Sequence, residues 1–145
     1  METQDPKYLQ LWIRMLSTTK LIEQDLNQRM SKQTPLTLAQ FDALVAIDRA
    51  GAEGLTMTDL SRSLLVSNAN STGMVGRLAE KGWVVKKTSR KDRRVQTVTL
   101  SSKGRDILHE AIGYHKIWVD EIFDILSEEE ADLAIRLMDK LRKDL

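Results

Sequence analysis

Residues 83–104, WVVKKTSRKDRRVQTVTLSSKG, restrict the fold of this 145-residue chain more than any other stretch. Two β-rich runs, Trp83–Lys87 and Val95–Leu100, flank a polar tip that carries Arg90, Lys91, Arg93 and Arg94 against one acid, Asp92. Short runs rich in Val and Thr on either side of a polar turn predict a hairpin. Like charges so close repel, a cost without benefit unless a polyanion lies nearby. Immediately upstream sit two short segments with the punctuation of a helix-turn-helix. Together they predict a winged helix that grips duplex DNA.

Apolar spacing and capping predict the helices. Asp5-Pro6 makes a good start for a first helix, with Asp as the cap and Pro at the first helical position. From there Leu9, Trp12, Leu16, Ile22, Leu26 and Met30 recur at helical spacing, and Leu11, Ile13, Met15 and Leu21 widen the stripe. A helix apolar over so much of its circumference is deeply buried or meets a second subunit. Gln33-Thr34-Pro35 ends it, and Thr37 caps a second helix, Leu38 to about Ala50, with Phe41, Leu44, Val45 and Ile47 inward. Thr56 with Asp59 reads as a capping box for a helix of one to two turns ending near Leu64. Leu65-Val66 supplies a tight turn, Ser67 caps a helix over 68–81, and Gly82 closes it as a C-cap glycine. Ser101 or Ser102 opens a long helix to about Leu126, and Ser127 with Glu130 caps the last one. The predicted order is α-α-α-α-β-β-α-α. Its first helix and last two are extra to a minimal winged helix.

The net charge of +1 hides an asymmetry. From Lys86 to Arg105 the bases are Lys86, Lys87, Arg90, Lys91, Arg93, Arg94, Lys103 and Arg105, while every charged residue in 120–132 is an acid. Such a split points to a polyanion-binding end and an acidic, solvated end. With no cysteine, disulfides, Cys-based zinc sites and thiol redox sensing are excluded. No apolar run approaches the roughly 18–20 residues of a membrane helix, and METQDPKY lacks the layout of a secretory signal. A cytoplasmic protein that does not engage membranes is the expectation. Without a phosphate loop, a Ser-His-Asp spacing or more than two histidines, the chain is poorly equipped as an enzyme, and no cofactor is expected.

The helix after Ser67 is polar where a recognition helix needs to be. Ser67, Asn68, Asn70, Ser71 and Thr72 fill its cap and first turns, and Val75, Leu78 and Ala79 supply its inward side. Asn can pair bidentately with adenine, and Ser or Thr can bond bases or phosphates in the major groove. Gly73 and Gly76 each cost on the order of 1 kcal/mol against Ala, which suggests close approach to DNA or to a neighbouring helix. An Arg at the hairpin tip (Arg90, Arg93 or Arg94) suits the minor groove, and Lys86, Lys87 and Lys91 suit phosphates. Asp92, a lone acid among bases, is expected to brace the wing against Arg77 of the recognition helix.

These residues together resemble the MarR family of bacterial transcriptional regulators over nearly the whole chain. The likeness is carried by Asp92-Arg93-Arg94 with Val98-Thr99-Leu100-Ser101 and Gly104, by Leu36-Thr37 with Gln40-Phe41 and Leu44, and by Ser67, Thr72-Gly73, Arg77-Leu78 and Gly82. The resemblance implies a mainly α fold with a small antiparallel β-hairpin wing (α+β). That fold is a winged helix-turn-helix with N- and C-terminal dimerisation helices. One domain over 1–145 would hold a DNA-binding lobe at about 37–100 and dimerisation helices at about 5–33 and 102–145. It further implies a homodimer on a pseudo-palindromic operator, acting as a ligand-responsive repressor. Trp12 and Trp118, with no obvious place in a small monomer core, agree with an interface. Relatives with several His and acidic ligands sense zinc, but His109 and His115 are six residues apart and nearly opposite on a helix, so no metal is expected. A small aromatic or phenolic effector is the commoner family pattern, and Trp12, Met15, Phe41 and His115 are candidates to line its crevice, with Arg14 meeting a carboxylate. The rival reading is a winged-helix adaptor for protein contacts, which predicts an apolar or mixed wing.

Overall fold

The computed structural model describes residues 6–64 and 68–145, without the side chains of Asn68 and Ala69. The elements are α1 (Lys7–Gln33), α2 (Leu38–Arg49), β1 (Leu55–Thr56), α3 (Met57–Leu64), α4 (Asn68–Glu80), β2 (Val84–Thr88), β3 (Gln96–Leu100), α5 (Ser102–Phe123) and α6 (Glu128–Arg142). A single 3-10 turn, Gly51–Glu53, links α2 to β1. The fold is the expected α+β winged helix, with one more strand than the sequence predicts. The antiparallel sheet runs β1-β3-β2, because two residues of β1 join the β2–β3 hairpin on its β3 side. Gly54 permits that junction: its φ is +83°, and a Cβ there would lie 2.8 Å from the Val98 carbonyl oxygen.

Capping residues set the other boundaries. Thr37 and Gln40 form a full capping box on α2, as Ser127 and Glu130 do on α6. The α3 start keeps half of its expected box, the Asp59 amide donating to Thr56 Oγ1 at 3.1 Å. On α1 the N-cap is Pro6, one residue later than predicted, and Asp5 lies outside the described residues. So does the predicted turn at Leu65-Val66. Helix α4 ends with two reversed bonds, Trp83 N–H to Leu78 O and Gly82 N–H to Ala79 O, both 3.0 Å. Gly82, at φ +77°, is the left-handed residue this closure requires. Ser101 caps α5 and also donates to the Gly82 carbonyl, while its amide donates to Trp83 O at 3.0 Å. The end of α4, the base of the wing and the start of α5 are therefore one hydrogen-bonded joint.

A single core lies between the helices and one face of the sheet. Leu36, Phe41, Leu44 and Ile47 meet Leu60, Val75, Leu78, Val84, Val98 and Leu108 there, all buried. Helix α1 joins it through its C-terminal half, where Leu26 and Met30 are buried and Ile22 is partly buried. Arg29 ties α1 to α5 by an ion pair with Glu121 at 2.7 Å. Trp118 corrects the sequence reading: it is buried in the chain's own core and stacks on Tyr114 at 5.7 Å. Trp12, by contrast, is 55% exposed. Tyr8, Leu11 and Leu21 of α1 and Ile117, Phe123 and Ile125 near the end of α5 are also exposed. Helix α6 buries none of its residues, although Leu133, Leu137 and Leu141 form an apolar stripe along it.

Candidate nucleic-acid interface

Helix α4 turns Val75 and Leu78 into the core and leaves Asn70, Thr72, Gly73 and Arg77 exposed. Ser71 falls on the inward side, four and seven residues before those core positions, and is fully buried. Its hydroxyl lies 2.9 Å from Ser61 Oγ, which is 2.9 Å from the Met57 carbonyl oxygen. Ser71 is thus no groove contact; it locks α4 to α3. Ser71→Ala is expected to lower unfolding free energy by about 1 kcal/mol in a urea titration while leaving the salt slope of DNA binding unchanged. Ser67 lies outside the described residues, as does the Asn68 side chain.

Among the described residues, nothing in the packing requires either glycine of α4. Among the described residues, a Cβ at Gly73 would meet only Arg77 Nη1, at 3.6 Å, and one at Gly76 would meet nothing within 4 Å. Close approach to a neighbouring helix among the described residues is therefore not their explanation.

At the wing tip, Asp92 does not brace Arg77. Its Oδ1 accepts from the Arg94 amide at 3.0 Å and from Arg94 Nε at 3.3 Å, and its carbonyl accepts from the Val95 amide at 3.0 Å. A short acidic side chain closes on the amide two residues ahead, a local turn that wins over a distant partner. The carboxylate therefore shapes the tip, and the guanidinium of Arg77 lies back over Gly73. Asp92→Ala is expected to weaken DNA binding although it raises the positive charge, whereas Asp92→Asn, which keeps the acceptor, should bind as wild type or tighter. Anisotropy titrations of the two variants on one duplex check this.

Arg90, Lys91 and Arg93 are exposed and have no ion-pair partner among the described residues. The strand register separates the other two cations. Lys86 shares the face of buried Val84 and Val98, and Lys87 shares the opposite face with Thr97. The two lysines sit on opposite sides of the wing, with Lys87 beside Arg105 and Thr99.

A recess of about 670 Å³ opens between α2 and α5, lined by Phe41, Asp42, Val45, Ile112, His115 and Val119 among others. The Phe41 and His115 rings lie 4.7 Å apart. Trp12, Arg14 and Met15 do not line it, because the first turns of α1 extend beyond the core; Arg14 instead bonds the Gln10 carbonyl of its own helix at 3.3 Å. Burial pushes the Asp42 carboxyl above the usual carboxylate range, with Glu23 adding to the rise and His115 opposing it. Burial likewise lowers the His115 pKa, partly offset by Asp42. Asp42 escapes sequence reading because one acid on an amphipathic helix looks solvent-facing. Among the described residues, no group of three His, Asp or Glu side chains is placed to hold a metal.

Residues 34–95, from the α1–α2 link to the wing, match the MarR family. An HTH-type transcriptional regulator of Bacillus cereus, itself uncharacterized, is 30% identical over 134 residues, 92% of this chain and 87% of that protein. The chain belongs to the MarR family. The transcriptional repressor MprA of Escherichia coli is 26% identical over 123 residues, 85% of this regulator and 69% of MprA. Among solved structures, the MarR family regulator Sco3205 of Streptomyces coelicolor, determined in complex with DNA, superposes with a TM-score of 0.85 at 21% identity, over 99% of this chain and 92% of that one. At that identity the match establishes the shared winged-helix fold. This MarR-family chain is a transcriptional regulator.

Proposed function

We propose that two copies of this regulator form a homodimer that binds a pseudo-palindromic duplex and represses transcription until a small aromatic effector enters the α2–α5 recess. The observation that carries the DNA reading is the wing tip, where Arg90, Lys91 and Arg93 stand exposed without acidic partners among the described residues. On α4, Asn70 and Thr72, together with Ser67 and Asn68, are the residues that address base edges and nearby phosphates. Gly73 and Gly76 leave that face low enough for a close approach. Arg94 and the lysines at 86, 87 and 91 add phosphate contacts. A basic tip also disfavours the protein-adaptor alternative.

The exposed apolar residues of α1, the end of α5 and the whole of α6 support dimerisation through residues 5–33 and 102–145, with residues 37–100 as the DNA lobe. Repression rather than activation is supported by the likeness to MprA. The proposed site of action is the cytoplasm; among the described residues no helix is long and apolar enough to cross a membrane. Light scattering should return twice the 16.5 kDa mass of one chain. Transcription from a promoter carrying the bound duplex should fall as the protein is added; a rise would make it an activator, and a monomer would overturn the dimer.

A further inference from the structure

We propose that the effector of the α2–α5 recess is a lipophilic organic cation, an apolar aromatic body with one ammonium-type charge seated against Asp42. This rests on the reading that an effector enters this recess at all. The walls are Val45, Ile112 and Val119, with the Phe41–His115 ring pair beside Asp42, so an apolar body is accommodated. Among the described residues Asp42 has no ion-pair partner, whereas Asp120 on the same rim is paired with Lys116 at 3.5 Å. The charge that acts on Asp42 from α1 is Glu23, an acid. His115, the base that acts on it from α5, has its pKa lowered by burial. An unpaired carboxylate at the edge of apolar walls and rings is the chemistry that takes an organic cation.

Of the other bases on the recess wall, Lys116 is paired with Asp120, and Arg49 is seven residues further along α2, about 10 Å away at 1.5 Å per residue. An aromatic acid lying against the rings would bring its carboxylate to Asp42, where it is repelled. Arg14, the residue the sequence offers to such an acid, is not in the recess.

The test is calorimetric titration of the full-length protein with phenyltrimethylammonium and, separately, with benzoate, using wild type, Asp42→Asn and Arg49→Gln. Thermal melts establish that each variant is folded. The cation should bind about tenfold or more tightly than benzoate, Asp42→Asn should weaken it by about that factor, and Arg49→Gln should leave it unchanged. Tighter binding of benzoate that disappears in Arg49→Gln overturns the cation and leaves the effector site standing. Cation binding untouched by Asp42→Asn overturns the role of Asp42. Binding of neither probe overturns both the cation and the effector reading of this recess.

Discussion

Replacing Arg90, Arg93 and Arg94 together with alanine is expected to weaken operator binding by at least about 100-fold near 0.1 M salt and to flatten its salt dependence. Each phosphate that is no longer neutralised takes about 0.9 from the slope of log K against log salt. The three guanidinium groups are exposed on one turn, and Arg94 alone of them has an acidic partner among the described residues, Asp92. Their removal leaves Asp92 facing the duplex, so repulsion compounds the missing attraction. Fold should be retained, because no side chain of the three enters the core. A fall in affinity without a change in slope would mean that the wing acts through α4 and not through phosphate.

Gly104→Ala is expected to destabilise the protein by about 3 kcal/mol, against the usual gain of up to about 1 kcal/mol when Ala replaces Gly in a helix. The reason is the joint between the wing and α5. A Cβ at position 104 would overlap the carbonyl oxygen of Trp83 and lie 2.8 Å from its carbonyl carbon. That same carbonyl accepts from the Ser101 amide, so it cannot move without disturbing the cap of α5. The backbone must shift, and the base of the wing shifts with it. Gly76→Ala supplies the contrast: its Cβ meets nothing within 4 Å among the described residues, so stability should rise while DNA binding falls. Urea titration of both variants separates the two cases, and equal behaviour would remove the steric argument.

Much of the fold is legible in the sequence because its signals are local. The cap at Thr37 and the capping box at Ser127 mark two helix starts, Gly82 marks the end of α4, and β-rich runs around the basic tip mark the hairpin. What stays hidden depends on three-dimensional placement. Two residues of β1 are too short for alternation to be visible. Ser71 reads as a polar helix-start residue until the helix phase places it against Ser61 between α3 and α4. The Asp92 partner escapes because a local turn onto the Arg94 amide competes with any long-range brace. Trp12 and Trp118 look alike in sequence, yet one is exposed and the other is core, since α1 packs against the core from Ile22 onward. Trp12, Arg14 and Met15 miss the recess for the same reason.

The most direct test of the central claim is fluorescence anisotropy of the wild-type protein on the duplex upstream of its own gene and on a scrambled duplex of equal length, across a range of salt. The account predicts that the upstream duplex binds at least about 1,000-fold more tightly than the scrambled one, with two chains per duplex and a steep decline of affinity as salt rises. Equal, weak binding of both duplexes at every salt concentration would contradict it.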